Sequence, residues 1–188
     1  VDNYENKAYV SSPTDSSIYI IDLKTMLLKQ KLKLNGMCER LYLTDDSTKM
    51  FYYDKSSGDI WVIDIYDDYK ISEMGKFPNV SRIVFAQNKV YLLSRSKSKI
   101  AIVDYVTKGL LQEFEVPKTP VDMTVYKDDL FVLGGRSNKI MVINTKDDVV
   151  TAQIDLNPNG FATSIYQLKG THLAIITDTK IGKYYVFD

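Results

Sequence analysis

The chain carries only four arginines, Arg40, Arg82, Arg95 and Arg136. An arginine fork can hold a carboxylate or phosphate through two charge-assisted bonds, whereas lysine offers a point charge. Arg40 and Arg82 each precede an apolar residue, Leu41 and Ile83, and the matching positions further on are Asp122 and Ser164. The spacings along that series are 42, 40 and 42 residues. Arg95 and Arg136 fall in the polar stretches "SRSKSK" and "GGRSNK". Such a set could bind an anion. It could also form a polar rim in which Arg40, Arg82 and Asp122 pair with one another or with Glu39.

Other chemistries find few residues to carry them. No histidine stands beside a serine or cysteine, and there is no G-x-S-x-G, phosphate loop or H-E-x-x-H. Gly134-Gly135 joins two apolar runs and reads as a hairpin loop. His172 lies in a turn, "KGTHLA", and reads as structural or solvent-facing. Cys38, the single cysteine, excludes an internal disulfide and any CxxC motif; its apolar neighbours suggest a buried, inert thiol. The acidic pairs Asp45-Asp46, Asp67-Asp68, Asp128-Asp129 and Asp147-Asp148 share no loop spacing. They read as turn formers rather than as a calcium site, which needs about six to eight converging oxygens. Fourteen tyrosines, seven phenylalanines and Trp61 are spread over apolar runs and read as packing.

The totals narrow the class. The 188 residues carry 24 basic and 24 acidic side chains, so net charge is zero, which argues against nucleic acid and a polybasic membrane surface. A hydrophobic content of 45% suits a globular chain. No apolar run approaches the roughly 20 residues that span a bilayer. The chain begins Val1-Asp2 with no visible signal peptide, which reads as a processed or trimmed end.

The arginines must be positioned by a repeat. An apolar phrase ending in Asp or Asn closes at Asp22, Asp64, Asp104, Asn144 and Asp188, at spacings of 42, 40, 40 and 44 residues. A period near 40 points to a propeller or a helical solenoid. Between Val80 and Val116 lie four short runs: "VSRIVFA", "KVYLLS", "IAIVD" and "LLQEFEV". They are rich in β-branched and aromatic residues and separated by turn residues. No stretch shows helical periodicity. The expectation is all-β: a β-propeller of four-stranded antiparallel blades, strands A to D, with about four and a half blades here. One propeller domain over 1–188 would have blades near 1–35 (lacking strand A), 36–77, 78–116, 117–156 and 157–188 (lacking strand D). Incomplete terminal blades suggest part of a larger ring, a partner chain that closes it, or five shortened blades. The repeated Asp or Asn should bond the turn after strand C.

The phrase from Asn88 to Leu156 resembles the YVTN-type β-propeller repeat. The tyrosine-valine place is held by Ala8-Tyr9-Val10, Val90-Tyr91-Leu92 and Leu130-Phe131-Val132. The "V-I-D" place is held by Val62-Ile63-Asp64 and Val142-Ile143-Asn144. The Gly/Pro turn is held by Asn35-Gly36, Pro78, Pro117 to Pro120, and Asn157 to Gly160, with Gly-x-x-Pro only partly kept. The Trp-Asp endings of WD repeats are absent. The resemblance implies a quinoprotein-like propeller, often exported or surface-exposed in bacteria and archaea. It therefore implies an extracytoplasmic location, periplasmic or cell-surface. It implies no activity, because this fold hosts many.

In such a fold the B–C loops and D–A connections share one face, where binding is usual. The sequence thus predicts a non-enzymatic scaffold, without cofactor or metal, that binds a protein or acidic ligand through that face. The site residues would be Arg40, Arg82, Asp122, Ser164, Arg95 and Arg136, ringing the channel mouth. The partner expectations exclude nucleic acid and membrane insertion and include a homo-oligomer. Two alternatives stand beside this: a quinoprotein-like enzyme or cofactor propeller completed by further blades, and a surface or adhesive repeat protein.

Overall fold

A computed structural model describes residues 5–44, 46–168 and 171–187. Asp188 and Asp45, two of the residues singled out above, lie outside the described residues. The chain divides into two compact units, residues 1–78 and 79–188.

The first unit holds two antiparallel sheets. One runs β1 (Lys7–Ser12), β2 (Ser17–Asp22), β3 (Leu27–Lys33), with a 3-10 turn at Pro13–Asp15. The other runs β4 (Leu41–Leu43), β5 (Lys49–Asp54), β6 (Asp59–Asp64), β7 (Lys70–Lys76). Ile18, Ile20, Leu32 and Leu34 of the first sheet pack on Met50, Tyr52 and Ile63 of the second. Trp61 stacks on Tyr52 with ring centroids 6.2 Å apart. Cys38 is fully buried in this core, and burial pushes its thiol up to about 12, so it is inert at neutral pH.

The second unit holds three sheets. They are β8 (Val80–Ala86) to β11 (Leu110–Glu115) through β9 (Lys89–Ser94) and β10 (Lys99–Asp104); β12 (Pro120–Tyr126) to β15 (Val149–Asp155) through β13 (Asp129–Gly134) and β14 (Lys139–Asn144); and β16 (Ala162–Gln167), β17 (Ala174–Asp178), β18 (Lys183–Phe187). Each strand pairs with the next in sequence. Tyr91, Leu93, Ile100 and Ile102 meet Leu130, Val132 and Ile143 between the first two sheets. Leu133, Ile140 and Val142 meet Ala162, Ile165 and Ile176 between the next two. Each such side chain contributes about 1.5–3 kcal/mol by leaving water. The middle strands are buried on both faces, while β11 and β15 are almost wholly exposed. That gradient explains why β9 and β14 read as unbroken apolar runs.

Several strands keep the bounds that their apolar runs suggest, among them β8, β9 and β2. Two are shorter. β4 spans only three residues, because Met37 and Cys38 ahead of it are committed elsewhere: the Met37 amide donates to Asp54 (3.2 Å) and Cys38 enters the core. β17 starts at Ala174, because Thr171 to Leu173 close a turn back onto Leu168. The repeated acid does the job expected of it. Asp104 Oδ1 accepts from the amides of Val106 and Thr107, both at 2.8 Å, and Asp22, Asp64 and Asn144 accept from the same turn positions.

Candidate anion-binding face

The inner strands β8, β12 and β16 carry a β-bulge at one place, Ser81, Val121 and Thr163. A bulge turns the following side chain. It sets Arg82 opposite Leu93, Asp122 opposite Leu133 and Ser164 opposite Thr177, so the three occupy equivalent positions. Arg40 holds the equivalent place in the first unit, since Leu41 pairs with Tyr52 as Ile83 pairs with Leu92; it is exposed and just precedes β4.

Of these residues the structure joins two. Arg82 Nε donates to Asp122 Oδ1 at 2.6 Å. The Asp122 side chain is 4% exposed, and it also accepts from the Met123 amide (2.9 Å) and, on Oδ2, the Ile165 amide (3.2 Å). A buried carboxylate needs such compensation. Asp122 therefore ties three neighbouring inner strands, and this part of the series is a rim pair. Ser164 Oγ bonds Thr177 Oγ1 at 2.6 Å.

Arg95 and Arg136 are exposed in the β9–β10 and β13–β14 turns. All five turns between second and third strands share one geometry. Their last residue has a left-handed backbone: Ser16, Gly58, Ser98, Asn138 and Gly182, with φ between 48° and 83°. In four of them, all but that of Gly182, its carbonyl accepts the first amide after the outer strand, as in Val116 to Ser98 (3.0 Å) and Leu156 to Asn138 (2.8 Å). In the second unit these links continue into the next sheet. The Gly135 amide donates to the Thr119 carbonyl (3.0 Å), and the Arg136 amide to Thr119 Oγ1 (3.2 Å). Asn138 Oδ1 accepts from the Ala162 amide (3.1 Å), and Asp178 Oδ1 from Phe161 (2.9 Å). The connections at this end, 95–98, 116–119, 135–138, 156–161 and 179–182, are thus knitted into one surface.

The charge on that surface is one-sided. The five connections contain Arg95, Lys97, Lys118, Arg136 and Lys180, all exposed, and no acidic residue. Among the described residues none of the five is in an ion pair. Strand-end charges beside them balance: Lys99, Lys139 and Lys183 against Glu115, Asp155 and Asp178. At the opposite end of the same strands, the described turn residues hold Lys108, Lys127 and Lys146 against Asp128, Asp147 and Asp148. There the partners meet: Lys146 pairs with Asp128 and Lys89 with Asp148, both at 2.6 Å. Tyr91 also donates to Asp148 (2.7 Å), and burial and that carboxylate push its hydroxyl well up. Among the described residues no three His, Cys, Asp or Glu side chains come together to hold a metal ion.

Sequence reasoning missed Lys97, Lys118 and Lys180. They hide among twenty lysines, and only sorting charge by connection separates them.

No protein-family model and no curated protein sequence matches the chain. Among solved structures it is similar to Kuenenia stuttgartiensis hydrazine synthase, at 14% identity and a TM-score of 0.71, over 92% of this chain and 52% of that one. It is also similar to virginiamycin B lyase from Staphylococcus aureus, at 16% identity and a TM-score of 0.73, over 100% and 68% of the two chains. The chain therefore spans about half the length of the first structure. Both are β-propeller-type proteins, and the five successive antiparallel sheets are blades of that fold. At these identities the likeness concerns the fold alone.

Proposed function

We propose that this propeller is a non-enzymatic scaffold whose 79–188 unit takes an acidic ligand or partner protein on its knitted loop face. The observation that carries this is the set of five exposed cations without an acidic partner, against the Lys146–Asp128 and Lys89–Asp148 pairs at the other end of the same strands. Charges that a fold uses for itself end in pairs; cations left over on a rigid rim are available to a ligand. Arg95 and Arg136 supply forks for carboxylate or phosphate. Arg82 contributes to the rim through Asp122. The reading of the repeat as YVTN-type rests on the tyrosine-valine places, of which Tyr9, Tyr91 and Phe131 all fall on second strands. The extracytoplasmic location rests on that resemblance.

The test is a titration of the full chain with citrate, a tricarboxylate, followed by amide chemical shifts. The expected shifts cluster in 95–98, 116–119, 135–138 and 179–182. The double variant Arg95→Glu with Arg136→Glu should abolish those in 95–98 and 135–138 while changing stability by less than about 0.5 kcal/mol, since both side chains are exposed. Shifts centred on the opposite turns, or unchanged in the variant, would place the ligand elsewhere.

A further inference from the structure

We infer that the ligand of this face is an extended acidic polypeptide segment rather than a single small anion. The inference rests on the anion-binding reading above and specifies its ligand. The five cations come from four connections spread over three successive blades: Arg95 and Lys97 at 95–98, Lys118 at 116–119, Arg136 at 135–138 and Lys180 at 179–182. The blades pack face to face through shared apolar cores. Sheets packed in this way lie about 10 Å apart, so the cation-bearing turns of the three blades span roughly 20 Å. One phosphate or carboxylate reaches donors only within about 3 Å, so it can serve cations of neighbouring connections, which touch at Ser98–Val116 and Thr119–Arg136, but not the whole row from Arg95 to Lys180. The ends of that row cannot converge on it, because the Thr119, Asn138 and Asp178 hydrogen bonds fix the connections in place.

A ligand that uses the whole face must therefore carry several negative charges at a matching interval. An extended polypeptide rises about 3.3 Å per residue, so every third residue falls about 10 Å from the last. Between the cations lie groups suited to a peptide backbone: Ser96, Thr179 and the exposed Asn157 and Asn159. A nucleic acid fits less well. Single-strand binders combine a basic groove with stacking aromatics, and Phe161 is the only aromatic residue in these connections, half-buried with its amide held by Asp178. Net charge zero for the whole chain points the same way.

The experiment uses the full chain and three probes: citrate, a peptide of about six Glu-Ser-Ser units, and an oligothymidylate of equal charge. Affinities are measured by anisotropy or calorimetry from low to physiological salt. The expected result is that the peptide binds at least tenfold tighter than citrate and tighter than the oligonucleotide. Lys118→Gln, Arg136→Gln and Lys180→Gln should each weaken the peptide several-fold and reduce its salt dependence, whereas citrate should not respond to all three. If citrate shifts the loop face but the peptide binds no tighter, the extended ligand is wrong and the anion face stands. If the oligonucleotide binds tighter, the face reads a nucleic acid instead. If none of the three binds, the anion-binding reading falls with this one.

Discussion

The two ends of the 79–188 blades are built from the same strands but treat charge in different ways. At the turn end Asp148 sits under Lys89 and Tyr91, and Asp128 accepts from both Gln87 (2.9 Å) and Lys146. All but the Lys146 bond, which lies within one blade, cross from one blade to the next. At the loop end the Arg82–Asp122 pair also joins two blades, while Thr119, Asn138 and Asp178 make further joints and the long cations of the connections are left outside them. The turn end thus draws charges of its turns into pairs, Lys146 with Asp128 and Asp148 with Lys89, whereas the loop end confines ion pairing among the described residues to its strands and leaves the cations of its connections outside it. A charge is informative about function chiefly where the architecture has another means of making the joint.

The largest effect should come from breaking a turn-end joint. The Lys89 and Asp148 side chains are only 15% and 12% exposed, and Asp148 also receives the Tyr91 hydroxyl. Asp148→Asn keeps a residue type that tolerates its left-handed backbone (φ 55°) but leaves the lysine charge without its counter-ion. A loss of about 2–3 kcal/mol is expected in urea unfolding, with citrate binding to the intact fold unchanged. Equal losses of stability and binding would mean that the two ends are not independent.

A smaller effect tests the loop-end joint. A Cβ on Gly160 would stand 1.9 Å from Asp178 Oδ2 and 2.8 Å from Asn138 Nδ2. Those two side chains hold Phe161 and Ala162 in place. Gly160→Ala should cost about 2 kcal/mol by forcing them aside. Gly109→Ala, at the turn end, meets nothing closer than Thr107 Oγ1 at 3.4 Å and should stay within about 0.5 kcal/mol. Equal losses at both glycines would show that backbone freedom, not room for the carboxylate, sets the requirement.

This pair also shows what could be read in advance. The strands were legible because their burial is local and periodic: Ile18, Ile20, Ile100 and Ile102 alternate toward the cores, and the repeated Asp or Asn acts on its own turn. The glycine turn was visible as a turn, but its reason was not. Gly36 and Gly160 face Asp54 and Asp178 across the blade, while Pro117 lies against Gly134, so the choice between glycine and proline depends on a residue about 18 positions away. The pairing of Arg82 with Asp122, 40 positions on, was one of the two readings that the spacing allowed. Spacing made the two positions equivalent, but equivalence around inner strands places neighbours side by side, where opposite charges unite. An evenly spaced series of charges therefore led toward the rim pair, and the leftover cations lay in lysines with no period at all.

The smallest effect concerns the repeated acid, and the chain contains its own control. Backbone amides of Thr107 and Val106 hold the Asp104 carboxyl below its usual range, and those of Thr25 and Lys24 do the same for Asp22. Lys49 and its hydrogen bond hold Asp64 down as well. A carboxyl with a depressed folded value adds stability that is present above the ordinary carboxylate range near pH 4 and is lost as pH falls through the lower folded value. Asn144 makes the same turn bonds, to Lys146 (3.0 Å) and Asp147 (3.4 Å), without titrating. Asp104→Asn should therefore be slightly less stable than the parent near neutral pH and converge with it as pH falls below about 4. Thermal unfolding followed across that range checks it: parallel acid profiles for parent and variant would mean that the Asp104 charge contributes nothing and that only the acceptor oxygen matters, as at Asn144.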